Sequence, residues 1–324
     1  MVSYAHRSVL VDEVVAALQP RPGGRYVDGT IGGGGHAEAL LRAAGGIAWL
    51  FGCDRDPEAI AAADRRLAGF AGRYELRLGA FERVADWLPA GSCDGAVIDL
   101  GVSSAQLDVA ERGFSFQQDG PLSMRMGPGE GPTAADLVNQ WPVDELARLF
   151  AELGDERQAR RIARALGRER TRTVFRTTRQ LAELIERVVP RRGQPVHPAT
   201  RVFQALRMAV NDELGTLERG LPALWKVLRP SARLACLTFH SGEARVVKSF
   251  GQRWARDYEV AGPVDVPELR QPRPAALRWV TRRPLTPTAA EQAANPRARS
   301  AQLRVMEKLR EIANPSEVGH AQEP

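Results

Sequence analysis

Asp28-Gly-Thr-Ile-Gly-Gly-Gly-Gly-His36 follows a short apolar run ending Tyr26-Val27 and precedes the Ala/Leu-rich segment Ala37 to Ala44. That order predicts a strand, a glycine loop and the first turn of a helix. Glycines lack Cβ atoms and admit positive φ, and a helix start offers unpaired N–H groups, so a ligand can approach bare backbone here. The alternative is an ordinary tight turn between strand and helix. Four consecutive glycines lose much chain entropy on folding, and with a carboxylate at the strand end they favour a loop that holds a nucleotide-like cofactor.

Gly32, Gly34 and Ala37 also satisfy a loose G-x-G-x-x-A dinucleotide pattern, which is weak evidence alone. A dinucleotide's pyrophosphate would be repelled by Asp28, whereas S-adenosylmethionine carries an ammonium and a sulfonium that an acidic strand end attracts. A second apolar run, Ile47 to Phe51, ends in Gly52-Cys53-Asp54, placing another carboxylate where ribose hydroxyls are held in either cofactor class. Asp54 otherwise caps the helix that Pro57 opens, a role open equally to Asp56.

Working outward, residues 7 to 18 have helical spacing of apolar groups and lead into the first strand. A helix from Pro57 to Leu67 and a strand from Tyr74 to Leu78 follow, and Phe81 just beyond suits either an adenine contact or the core. The next strand, Gly95 to Asp99, again ends in a carboxylate. Such alternation predicts an α/β fold, a Rossmann-like parallel sheet with Asp28, Asp54 and Asp99 at its carboxyl ends, where these sheets bind ligands. After about Glu111 the pattern turns mostly helical. It resumes with a helix over 212–228, a strand over 233–239 and a helix over 243–254, and a late pair, Leu277 to Val280 and Leu303 to Met306, reads as an antiparallel edge hairpin. The expected organisation is a first Rossmann-like part over 1–110, an inserted Arg-rich helical domain over 111–208, a second Rossmann-like part over 209–310 and a flexible tail over 311–324.

At 324 residues, 44% hydrophobic and 26% charged, the chain can bury a full core. No apolar run is long enough to span a membrane and the N-terminus lacks a signal-peptide apolar region, so a cytoplasmic protein is expected. Cys53, Cys93 and Cys236 stand singly, which argues against disulfides or a metal site. The net charge of +6 favours a polyanionic partner. From Arg148 to Arg207 there are fifteen Arg and no Lys against six Asp or Glu. Arg157, Arg160, Arg161 and Arg164 fall on one helical face, placed to track a phosphate backbone.

Asp99 opens a long polar stretch, Asp-Leu-Gly-Val-Ser-Ser-Ala-Gln-Leu-Asp108, followed by Arg112-Gly-Phe-Ser-Phe116 and Asp119-Gly-Pro-Leu-Ser-Met-Arg-Met126. With His6-Arg-Ser-Val-Leu10, the Asp28 to His36 loop, His197 to Arg207, Asn211-Asp-Glu-Leu214, Phe239-His-Ser241 and Glu291 through Asn295 to Ser300, this resembles the bacterial 16S ribosomal RNA (cytosine-N4)-methyltransferases over most of the chain. The resemblance implies methyl transfer from S-adenosyl-L-methionine to N4 of a cytidine in the decoding region of 16S rRNA, within the small ribosomal subunit. It assigns cofactor contacts to Gly34, Gly35, His36, Asp54, Phe81, Asp99 and Gln106, implies no metal, and admits a homodimer. Asp99 is the first choice for an acceptor of the N4 proton. His240 reads as a general base or a structural group, and His197 as a pin between insertion and sheet. Asn211 and Asp212 suit the target pocket or a cap, and Phe114 or Phe116 suits base stacking or loop anchoring. Ser123, Gly127, Gly242 and Ala244 depart from the family's pattern, three of them losing carboxylates, which bears on target choice or rate. The alternatives are a methyltransferase for another nucleic acid or small molecule, and a non-catalytic RNA-binding assembly factor.

Overall fold

A seven-stranded sheet runs in the order β3-β2-β1-β4-β5-β9-β8 in the computed structural model, which describes residues 8–129, 131–190 and 196–311. Its strands are β1 (Arg25–Asp28), β2 (Trp49–Asp54), β3 (Tyr74–Leu78), β4 (Cys93–Asp99), β5 (Leu228–Thr238), β8 (Leu277–Trp279) and β9 (Gln302–Lys308). A separate two-stranded ribbon pairs β6 (Tyr258–Val260) with β7 (Arg270–Pro272), a feature that the spacing of residues does not predict. Strands β1 to β5 pair in parallel, while β9 is antiparallel to both β5 and β8. The Rossmann-like sheet and its antiparallel edge are therefore as expected.

The helices are α1 (Val11–Leu18), α2 (Gly35–Ala43), α3 (Pro57–Leu67), α4 (Ser104–Asp108), α5 (Ala134–Gln140), α6 (Val143–Glu152), α7 (Ala159–Glu169), α8 (Thr178–Val188), α9 (Ala199–Val210), α10 (Glu213–Val227), α11 (Ser241–Ala255) and α12 (Ala289–Ala294). His6 and Arg7 of the opening motif, Arg191 and Arg192 of the basic block, and the tail from 312 lie outside the described residues.

The described residues divide into two compact units, one of residues 8–101 with 214–311 and one within residues 102–213. In the sheet unit successive strand residues point to opposite faces, and both faces are buried, so the strands read as nearly continuous apolar runs. Val27, Ala96, Ile98, Leu234 and Cys236 join one core with Leu217, Leu221 and Leu224 of α10 and Val247 of α11. Tyr26, Val97, Ala235 and Leu237 join the other with Val14 of α1, Leu40 and Leu41 of α2, and Leu67 of α3. In β1, β2 and β4, burial on both faces leaves the charged residues at or next to the strand ends.

The helical unit has its own core, with Phe150 of α6, Ile162 and Leu166 of α7, Leu181 and Ile185 of α8, and Val202 and Leu206 of α9. Phe114 is buried in it, and the Phe116 ring packs 4.6 Å from His197 and 4.9 Å from Phe203, so both phenylalanines anchor their loop. His197, just ahead of α9, accepts the Ala199 N–H on Nδ1 at 3.1 Å and packs on Phe116, both contacts lying within its own unit. Asn211 ties the end of α9 to the polar stretch, accepting the Met126 N–H at 2.9 Å and donating to the carbonyls of Met124 at 2.7 Å and Arg207 at 2.8 Å. Among the described residues no helix is long and apolar enough to cross a membrane.

Candidate functional site

The glycine loop connects β1 to α2. Its turn is set by Gly34, which caps α2 at φ +78°, a left-handed conformation that costs a glycine least. Two carboxylates organise the loop from either side. Asp28 Oδ1 accepts the Thr30 N–H at 3.2 Å, and Asp54 Oδ2 accepts the Gly32 N–H at 3.0 Å. Asp54 Oδ1 also accepts the Asp56 N–H at 2.9 Å, while Asp56 itself caps α3 through the Glu58 N–H at 3.0 Å. The capping role thus falls to Asp56, which leaves Asp54 at the tip of β2 to shape the loop.

Asp28 is only 1% exposed, and its Oδ2 has no hydrogen-bond partner among the described residues. Burial pushes its carboxyl up to about 7, against the lowering effect of His36 and of the Thr30 N–H. Burial likewise pushes the Asp54 carboxyl up to about 6, although backbone N–H groups oppose the rise. His36, in the first turn of α2, is 4% exposed with Nε2 3.5 Å from Asp99 Oδ2. Burial alone would lower the imidazole's pKa, but Asp99 and Asp28 outweigh it and hold the ring toward its protonated form. Asp99 is fixed by its own backbone, whose N–H donates to Thr30 Oγ1 at 2.6 Å, and its buried Oδ1 has no hydrogen-bond partner among the described residues.

Thr30 therefore couples Asp28 to Asp99, a link absent from the expectations above. The only sequence signal for it is a hydroxyl two residues past a strand-end carboxylate, a common local hydrogen-bonding pattern. Buried polar groups in proteins are nearly always satisfied. Oxygens of Asp28 and Asp99 without a hydrogen-bond partner among the described residues suit a polar, positively charged ligand.

The other expected site residues lie as follows. The Phe81 ring is buried in the core, where a Cβ on Gly220 would come within 2.0 Å of it. Gln106 belongs to the helical unit, and its Oε1 accepts the Ser103 N–H at 3.0 Å in a capping box at the start of α4. His240 caps α11, Nδ1 accepting the Glu243 N–H at 3.4 Å while Glu243 Oε2 accepts the Phe239 N–H at 2.7 Å. That is the structural alternative to a general base.

Residues 3–309 match the family model described as the MraW methylase family. The chain belongs to this family. Ribosomal RNA small subunit methyltransferase H of Symbiobacterium thermophilum is 47% identical over 313 residues, covering 95% of this chain and 98% of that protein. The protein of the same name from Nitratidesulfovibrio vulgaris is 49% identical over 311 residues, covering 94% and 96%. Among solved structures, a putative rRNA-methylase from Clostridium thermocellum aligns at TM-score 0.44 and 12% identity, over 93% of this chain and 98% of that one. The methyl donor is S-adenosyl-L-methionine, and a cationic donor fits the acidic strand ends and orphaned oxygens of the sheet unit of this methylase.

Proposed function

We propose that the chain methylates N4 of a cytidine in 16S rRNA of the small ribosomal subunit, with Gly34, Gly35, His36, Asp54, Phe81, Asp99 and Gln106 holding the cofactor and Asp99 accepting from the target amine. The reading is supported by relatives named for small-subunit rRNA methylation and by the chemistry of the strand ends. Its single strongest support is the buried Asp99 Oδ1, fixed at the end of β4 and without a hydrogen-bond partner among the described residues.

Cytosine N4 is a poor nucleophile because its lone pair is delocalised into the ring. When bound, S-adenosylmethionine supplies an electrophilic methyl group. Asp99 accepts one N4–H and turns the remaining lone pair out of conjugation, so positioning supplies much of the acceleration. His36 Nε2, 3.5 Å from Asp99 Oδ2, orients the carboxylate. Thr30 fixes the end of β4 from which Asp99 projects.

The helical unit supplies the rRNA contact in this proposal. Arg160, Arg161, Arg164 and Arg168 are exposed along α7 and, among the described residues, none is paired with a carboxylate. Arg157 lies before the first turn of α7, outside the helical face that spacing alone would give it. Unneutralised guanidinium groups on one face suit a phosphate backbone.

The test is methyl transfer from labelled S-adenosylmethionine to undermethylated small subunits and to free 16S rRNA, with the nucleoside identified by mass. N4-methylcytidine is the expected product. Transfer to any other nucleoside overturns the target, and cofactor binding without transfer to either substrate favours an assembly factor.

A further inference from the structure

Two stretches at opposite ends of the chain, Ser8 to Leu10 and the start of α12 at Glu291, are left without a role by the chemistry above. They meet in the sheet unit. Glu291 Oε1 accepts the Leu10 N–H at 2.8 Å across 281 residues of sequence. Leu10 is fully buried, caps α1 and sits at φ +54°, a conformation that a leucine holds only when its surroundings impose it. Two residues earlier, Ser8 is seated on the glycine loop. A Cβ placed on Gly35 would come within 2.2 Å of Ser8 Oγ and 3.1 Å of Ser8 Cβ, with Arg66 Nη1 3.0 Å away on the same residue. Arg66 is in turn 3.6 Å from Glu38 of α2. The first residue of α2 is thus boxed between Ser8 and Arg66, and only glycine fits.

We propose that Glu291 is a positioning residue: by holding Leu10 it seats Ser8 on Gly35 and keeps the glycine loop in its cofactor-binding form. The proposal rests on the cofactor reading of that loop. A loop already held in its bound form loses less freedom on binding, so releasing it weakens affinity without touching the reacting groups.

Glu291→Ala is expected to raise KM for S-adenosylmethionine about five- to tenfold, the worth of one hydrogen bond, with kcat at saturating cofactor near wild type. Glu291→Gln retains an acceptor oxygen and is expected to stay within about twofold of wild type. A purely structural role would lower the melting temperature and the active fraction and leave KM unchanged. Should Glu291→Ala fail to fold, Ser8→Gly keeps the Leu10 hydrogen bond, empties the face of Gly35 and is expected to raise KM a few-fold. Asp54→Asn separates the two readings. If it raises KM while Glu291→Ala and Ser8→Gly do not, the clamp is wrong and the site stands. If KM moves in none of the three, the site assignment falls and the clamp falls with it.

Discussion

The carboxyl ends of β1 and β4 and the exposed face of α7 both carry charged groups with polar atoms that no hydrogen bond completes among the described residues, but in opposite physical settings. Asp28 and His36 are buried, and each has a polar atom without a hydrogen-bond partner among the described residues. Arg160, Arg161 and Arg164 are in solvent. A buried orphan is expensive and is tolerated where something else completes it, so recognition at the strand ends rests on a few atoms whose geometry is tightly held. An exposed guanidinium costs little, so recognition along α7 rests on many groups, each weak and each screened by salt. Single substitutions should therefore act sharply in the first region and softly in the second.

The sharpest effect is expected at Asp99. Asp99→Asn keeps the side-chain shape and the backbone N–H to Thr30 but removes the acceptor of a proton. Methyl transfer should fall by roughly 10²-fold or more, in the range general acid–base groups supply, while cofactor affinity falls much less. Single-turnover rates beside calorimetric affinities decide it. Equal losses in both would assign Asp99 to cofactor binding alone, and the strand ends would then hold no group specific to catalysis.

Asp28 comes next, through pH. Its carboxyl is raised to about 7 by burial, and that of Asp54 to about 6. A raised folded-state pKa gives stability that is complete below the unfolded value and is lost as pH rises through the folded one. The ligand-free protein should lose stability between about pH 4 and 7. Asp28→Asn, which retains the Oδ1 that accepts from Thr30, should flatten this loss and be more stable than wild type above pH 7 by roughly 1–3 kcal/mol. Denaturant titrations across pH check the sign. A cationic cofactor favours the ionised carboxylate, so its affinity should rise with pH through the same window in wild type and less so in the variant.

The contrast between the two regions also explains how much was legible in the sequence. Strand ends announce themselves through local order: an apolar run, a carboxylate, glycines. Asp28, Asp54 and Asp99 follow from that pattern, as do the parallel sheet and its antiparallel edge. Contacts between distant residues leave no such trace. Nothing near Glu291 in sequence points to Leu10, and nothing near Thr30 points to the backbone of Asp99. Aromatic residues are ambiguous in sequence for a related reason, because Phe114 and Phe116 carry the same apolar surface whether a core or a base covers it, and only tertiary packing places them in the core of the helical unit. Arg157 precedes the first turn of α7 although its spacing fits the helical face, because helix boundaries are poorly fixed by spacing alone.

The mildest effect is expected on α7, and it tests the other half of the contrast. Replacing Arg160, Arg161 and Arg164 together with Gln leaves the apolar face of α7, Ile162, Ala163 and Leu166, in its core, so folding should be little changed. If the three guanidinium groups each neutralise a phosphate, the slope of log affinity for 16S rRNA against log salt should fall by about 2, near 0.7 for each phosphate no longer neutralised on single-stranded RNA. Each single variant should weaken binding only a few-fold at moderate salt, and cofactor affinity should be untouched. Filter binding of rRNA over a salt series reads the slope directly. An unchanged slope in the triple variant would make α7 a solvated face, and the rRNA contact would have to be sought among the other arginines of the helical unit, of which Arg172, Arg176 and Arg179 are the next exposed group along the chain.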